Sequence, residues 1–189
     1  MHPTHVQDVM TAIGWLQRTY GFGERYVLVG HSCGATIAFQ TVMGIWSIPT
    51  EHGGDVAISK PVAIVGVAGI YNLGLLASTY ETVPIYREFL EGAFGPDRIE
   101  WLKANPTSGE YEKTWPNAKV VVLGWSKDDS LVDATQVQCM SRTLFDNQQV
   151  GRSERVLQFT GEHDEIWRNG QCLAAAITTA LTMLTADTA

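Results

Sequence analysis

Three cysteines in 189 residues, at positions 33, 139 and 172, are too few and too widely spaced for a disulfide framework or a metal site. Such a chain suits a reducing compartment, and the cytoplasm is the expected location. No apolar run approaches the roughly 20 residues that span a bilayer. The start, Met1-His2-Pro3-Thr4-His5, lacks the basic-then-apolar pattern of a secretory signal. Basic residues number 13 against 20 acidic ones, and the formal net charge of -7 argues against a nucleic-acid or anionic-membrane surface. There is no internal repeat, no low-complexity segment, and nothing that asks for a metal or a cofactor. What is present, 45% hydrophobic residues, suits one globular domain over 1–189 with a substantial core.

Against that plain background one stretch stands out. Val27-Leu28-Val29 runs into Gly30-His31-Ser32-Cys33-Gly34, and a helix-compatible run follows at once. This is the G-x-S-x-G nucleophile elbow in its strand–turn–helix setting. The turn is tight, so Gly30 and Gly34 are both expected where a side chain would clash. Ser32 then stands at the carboxyl end of a buried strand and at the positive end of a helix. The amide of Cys33, the residue after the serine, is the expected oxyanion donor, and its side chain a small packing group.

The rest of the chain alternates strands and helices. Pro3 to Tyr20 reads as an amphipathic helix with Val6, Val9, Met10, Ile13, Leu16 and Gln17 on one face. Arg25 to Val29, Pro61 to Ala68, Ala118 to Gly124 and Arg155 to Thr160 read as strands. Cys33 to Trp46, Asp133 to Gln149 and Glu165 to Thr185 read as helices. Thr79 to Pro116, with four prolines, reads as an irregular, cap-like insertion with short helical pieces at 85–92 and 99–104. Ile48 to Lys60 reads as a loop. Its His52-Gly53-Gly54 follows the serine and so is rejected as an oxyanion loop on chain order. The class is α/β with a mostly parallel sheet, whose ligands bind beyond the carboxyl ends of the strands.

A nucleophilic serine needs a base and an orienting acid. Lys127-Asp128-Asp129-Ser130-Leu131-Val132 follows the third strand, and Gly161-Glu162-His163-Asp164 follows the fourth. The order Ser, Asp, His is that of the α/β-hydrolase fold. His163 is the expected base. Asp128 and Asp129 compete for the acid, and Asp129 fits better because two residues then an apolar one follow it. Asp164 and the rejected aspartate are expected at helix N-termini. His31 is expected to point elsewhere, and His2, His5 and His52 into solvent. Tyr71, Trp125 and Trp167 each follow a strand and are candidates for an aromatic substrate pocket, or for packing.

The wording Gly30-His31-Ser32-Cys33-Gly34-Ala35-Thr36, the start His2-Pro3-Thr4-His5-Val6-Gln7-Asp8 and the segment Gly69-Ile70-Tyr71-Asn72-Leu73 resemble the fungal kynurenine formamidases, α/β-hydrolases allied to hormone-sensitive-lipase-like esterases. The resemblance covers nearly the whole chain. It implies hydrolysis of N-formyl-L-kynurenine to L-kynurenine and formate, in tryptophan breakdown toward NAD, with Ser32 as nucleophile, Asp129 as acid and His163 as base. The family's His-Gly-Gly-x-Trp loop, which supplies further oxyanion donors, is not found ahead of Ser32, nor are the early strands of its sheet. The chain therefore reads as a member lacking its N-terminal part, with impaired activity and an apolar strand at the sheet edge that would favour a homodimer. A carboxylesterase for small acyl groups and an inactive fragment serving as an interaction module are the alternatives.

Overall fold

The structure is a computed structural model that describes residues 1–45, 58–147, 149 and 151–186. Helix α1 (Thr4–Tyr20) leads to strand β1 (Val27–His31) and helix α2 (Cys33–Gln40). Strand β2 (Ala63–Val67) is followed by α3 (Leu73–Thr79), α4 (Pro84–Phe94), α5 (Arg98–Ala104), a 3-10 turn at Pro106–Ser108 and the short α6 (Tyr111–Thr114). Then come β3 (Val120–Ser126), α7 (Ala134–Asp146), β4 (Ser153–Phe159), α8 (His163–Arg168) and α9 (Gln171–Ala186). Among the described residues no helix is long and apolar enough to cross a membrane.

The four strands pair in parallel in the order β1-β2-β3-β4. Successive side chains of a strand point to opposite faces, and the centre of the sheet uses both. Val121 and Leu123 of β3 pack with Ile64 of β2 under α2 and α7, around Phe39, Tyr111 and Trp115. Their neighbours Val120 and Val122 pack with Ala63, Val65 and Val67 under Ile166 of α8 and Ala176 and Ala180 of α9. Both faces are covered there, which is why β2 is buried throughout. The end strands are thinner in cover: β1 leaves Val29 and β4 leaves Val156 exposed.

The strands and long helices fall where the sequence reading puts them; α3 (Leu73–Thr79) is not among the elements read from the sequence, and three further differences stand out. The final helix is two helices, because Gly170, at a φ of 73°, takes a left-handed conformation between α8 and α9. Residues 79–116 are largely helical rather than irregular. With α3 they own a core of Leu73, Leu76, Tyr86, Leu90 and Trp101, and Pro84 sits at the first turn of α4, where its missing N–H costs nothing. Helix α2 ends at Gln40, while Trp46, the 48–57 part of the loop and His52-Gly53-Gly54 lie outside the described residues. On α1 the buried set is Val6, Met10, Ile13 and Gly14, and Leu16 is exposed. Gln17 instead ties α1 to its surroundings: its Nε2 donates to the carbonyls of Gly23 and Ser59, and its Oε1 accepts from the Ser59 amide.

Candidate active site

Ser32 occupies the corner between β1 and α2 at φ 55°, ψ -125°. A side-chain-bearing residue there stores on the order of 1–3 kcal/mol of strain. The corner is tied down by its own backbone: the Ser32 amide donates to the Val67 carbonyl at 2.9 Å, and its carbonyl accepts from Ala35 at 3.0 Å. The two elbow glycines are not equivalent. A Cβ on Gly30 would stand 2.3 Å from the Gly34 carbonyl oxygen, whereas a Cβ on Gly34 would meet nothing within 4 Å. The expectation that both relieve a clash is corrected to Gly30 alone. Cys33 is the first residue of α2, so its amide has no preceding helical carbonyl to serve. Its side chain is exposed and lines a cavity rather than packing in the core.

The loops after β3 and β4 meet beside Ser32. His163 Nδ1 lies 2.8 Å from Asp129 Oδ2, with the Asp129 side chain fully buried. The other carboxylate oxygen, Oδ1, accepts from the amides of Leu131 and Val132, each at 2.9 Å. Burial alone would raise this carboxyl. The hydrogen bonds from His163, Val132 and Leu131 outweigh it and hold the group below the usual carboxylate range. Asp128 turns the other way and accepts from the Gly161 amide at 3.0 Å. It is a strut between the two loops and not a helix-terminal residue. The residue that caps a helix here is Asp133, which accepts from the Thr135 amide at the start of α7.

Further links lock the loops together. Ser126 Oγ donates to the Gly161 carbonyl at 2.7 Å, and Ser130 Oγ donates to Glu162 Oε2 at 2.8 Å. Glu165 Oε2 accepts from the Glu162 amide at 3.0 Å, closing the first turn of α8, with Asp164 beside it in that turn. Ile166, completely buried one turn on from His163, anchors α8 against the sheet. His31, expected to point away, stands against His163 instead. Its Nε2 lies 3.1 Å from the His163 carbonyl oxygen, and the two rings are 4.6 Å apart. Burial, then the neighbouring His163, lower the His31 pKa.

Ser32 and His163 line one pocket together with Ile70, Ile85, Tyr86, Phe89, Leu131 and Val132. None of the three aromatic candidates is among them. Tyr71 is wholly buried, edge-on to Phe39 with centroids 5.6 Å apart. Trp125 is still inside β3 and on the α7 face, beside Val137 and Phe145. Trp167 projects from α8 toward solvent, 46% exposed. Following a strand places a residue near the site, but the face it occupies decides where the side chain goes. The aromatic walls come from α4, and the stacked pair Tyr80–Tyr86, with centroids 4.2 Å apart, braces them. Tyr86 also donates to the Leu131 carbonyl at 2.9 Å, joining α4 to the loop that carries Asp129.

His2 and His5 depart from expectation as well. Both are half-buried, with rings 5.1 and 5.7 Å from Phe94. Burial and the contact with His5 push the His2 pKa down to about 4. Among the described residues no group of His, Cys, Asp and Glu is placed to hold a metal ion.

No protein-family model matches the chain. It is 40% identical over 186 residues to a kynurenine formamidase-like hydrolase of Fusarium equiseti, covering 97% of this chain and 60% of that protein. It is 38% identical to a kynurenine formamidase of Aspergillus versicolor, covering 88% of this chain and 63% of that protein. A kynurenine formamidase of Meyerozyma guilliermondii is 29% identical, with 95% and 66% covered. The chain thus spans roughly three fifths to two thirds of the length of these relatives. Among solved structures, esterase B of Lactobacillus rhamnosus superposes with a TM-score of 0.69 at 14% identity, over 97% of this chain and 61% of that one. A truncated carbohydrate esterase from gut microbiota gives 0.68 at 17% identity, over 98% and 70%. The chain therefore has the α/β-hydrolase fold, and its sequence relatives are fungal kynurenine formamidases and formamidase-like hydrolases.

Proposed function

We propose that the chain carries the catalytic core of a serine hydrolase that cleaves N-formyl-L-kynurenine to L-kynurenine and formate, a step of tryptophan breakdown toward NAD. The observation that carries the reading is the 2.8 Å contact of the buried Asp129 with His163, in a pocket that the strained Ser32 also lines. The names of the relatives supply the substrate. Three free cysteines suit the reducing cytoplasm.

In this reading Asp129 accepts from His163 Nδ1 and so leaves Nε2 free to act as base. Ser32 Oγ attacks the formyl carbon as Nε2 takes its proton. The carbonyl electron pair moves onto oxygen, facing the Cys33 amide at the positive end of α2. The tetrahedral adduct collapses by breaking the C–N bond, and His163 returns the proton to the departing aniline nitrogen. Water, deprotonated by His163, then attacks the formyl-serine and releases formate. Residues 79–116 act as the cap, with Ile85, Tyr86 and Phe89 walling the site.

A polypeptide of these 189 residues has no His-Gly-Gly-x-Trp loop ahead of Ser32. Loss of one oxyanion donor typically costs about 10²–10³ in turnover. We therefore expect slow release of formate from this chain, and a gain of that order when it is extended at its N-terminus to the length of the relatives. The test measures formate from N-formyl-L-kynurenine beside p-nitrophenol from p-nitrophenyl acetate, with both polypeptides. Faster turnover of the formamide by the longer chain, relative to the ester, supports a formamidase. Ester cleavage with no formate from either chain would replace it with a carboxylesterase.

A further inference from the structure

The amino end of the sheet, a strand's length from the Ser32 corner, holds a cavity of about 890 Å³. Val27, Ala63, Val120 and Ser153 form one register row across the four strands. The residues just ahead of them, Tyr26, Val62, Lys119 and Arg152, all line the cavity, and Leu181 and Leu184 of α9 close it. The volume falls within the ordinary range for small-molecule pockets, roughly 300–1,000 Å³. No residue of this lining is shared with the pocket of Ser32 and His163.

Three cations gather here in a chain whose formal net charge is -7. Arg25, Lys119 and Arg152 line the cavity, and among the described residues no carboxylate does. Arg25 and Lys119 are exposed, and neither side chain has an ion pair or hydrogen bond among the described residues. Arg152 differs, with its side chain only 1% exposed. Its Nη2 donates to the carbonyls of Leu144 and Asn147, at 2.7 and 2.9 Å, and to Glu154 Oε1 at 3.0 Å. Its Nε and Nη1 are buried with no hydrogen-bond partner among the described residues. Native folds rarely leave buried donors unsatisfied, least of all charged ones. Glu154 offsets one of the three positive charges, so the cavity keeps a net positive charge. Beside the cations, Val27, Val62, Leu181 and Leu184 supply a hydrocarbon wall.

We propose that this cavity is a second binding site, for an amphiphilic anion: a small molecule with one carboxylate-like head and an apolar body. Arg25 and Lys119 take the head, and the hydrocarbon wall takes the body. The Arg152 guanidinium, closed off from solvent, adds its charge through protein rather than water, where a charge acts more strongly. A neutral ligand of the same shape gains nothing from the cations, and a small anion without an apolar body gains nothing from the wall. The site is separate from the catalytic one, so it stands or falls independently of Ser32. A ligand bound to the native chain alone also stabilises it by mass action.

The test titrates octanoate into the full chain by ligand-observed NMR, with 1-octanol and acetate as the uncharged and tail-less comparisons. Arg25→Gln with Lys119→Gln removes the two exposed charges, and Arg25→Lys with Lys119→Arg keeps them. Circular dichroism checks each fold. The expected result is octanoate binding at least about tenfold tighter than that of either comparison, the order of magnitude of one charge-assisted contact. The glutamine pair weakens it by about tenfold or more, and the charge-keeping pair retains it. Raising salt from about 0.05 to about 0.5 M also weakens it in the native chain, because exposed charges are screened. That measurement serves should the glutamine pair not fold. No octanoate binding at about 1 mM, the weak end of the affinity scale, overturns the site. So does equal octanoate affinity in the native chain and the glutamine pair, which would place the ligand elsewhere, the Ser32 pocket included. Octanol binding as tightly as octanoate would leave only a greasy surface and overturn it too.

Discussion

Asp129 and Asp128 are adjacent, equally acidic in sequence, and opposite in use. Asp129 is buried and meets His163 with one oxygen and two amides with the other, while Asp128 holds the Gly161 amide. Asp129→Asn should lower formamide turnover by about 10⁴, because an amide at that place favours the wrong imidazole tautomer. Asp128→Asn keeps an oxygen that can accept from Gly161 and should cost less than tenfold, an estimate from the roughly 1 kcal/mol worth of such a bond. Steady-state kinetics on the two variants reads the difference, and the reverse ranking would reassign the acid. The contact of Asp129 with His163 was legible because Leu131 and Val132, whose amides its side chain accepts from, stand at the right spacing. The partnership of His31 with His163 was not legible. Nothing in Gly-His-Ser tells which way the histidine ring turns, and only the packed position of the β4 loop settles it.

At the scale of the element, the elbow and α8 show how much local structure rests on single residues. Gly30→Ala forces the corner apart, since its Cβ would collide with the Gly34 carbonyl. Thermal or urea unfolding should show a loss of about 1–3 kcal/mol. Gly34→Ala meets open space and replaces a helical glycine, so it should be neutral or stabilising by about 0.5–1 kcal/mol. Glu162 works differently. Glu162→Ala releases Ser130 and loosens the two loops that carry Asp129 and His163. The expected signature is reduced kcat beside the modest fall in unfolding midpoint that losing the α8 cap brings, whereas a purely structural role would move the midpoint alone. Element types were readable from the apolar runs and their flanking glycines. What failed was facial detail: Tyr71, Trp125 and Trp167 were placed by chain position, and the wall residues Ile85, Tyr86 and Phe89 lie on a helix whose orientation only the packing of α3, α4 and α5 fixes.

The whole molecule should be acid-sensitive before its carboxylates titrate. His2, His5 and His31 have pKa values lowered from the ordinary 6.5, in each case chiefly by burial. As pH falls through that value the unfolded chain takes up protons that the native one refuses, so stability drops. Asp129 adds a later loss: its pKa is depressed, so its contribution is intact above the usual carboxylate range and disappears as pH falls through the lowered value. Glu154, raised by burial that Arg152 only partly offsets, works in the opposite sense, one group against three histidines. Melting curves should therefore show a lower midpoint at pH 5 than at pH 7, and His31→Asn should flatten that difference. A flat profile in the native chain would contradict the burial of these rings. The parallel architecture itself was open to reading, since buried strands, helix-compatible connections and site residues at strand ends recur three times. How thinly the outer strands are covered was not.

If the proposed function holds, Ser32 carries the formyl group during turnover. Rapid quenching of the chain with N-formyl-L-kynurenine, followed by peptide mass spectrometry, tests it most directly. A formyl adduct is expected on the peptide containing Ser32, absent in Ser32→Ala and short-lived in the native protein because His163 would activate the water that removes it. Formate release with no adduct on Ser32, or an adduct on the neighbouring Cys33 that persists in Ser32→Ala, would contradict it.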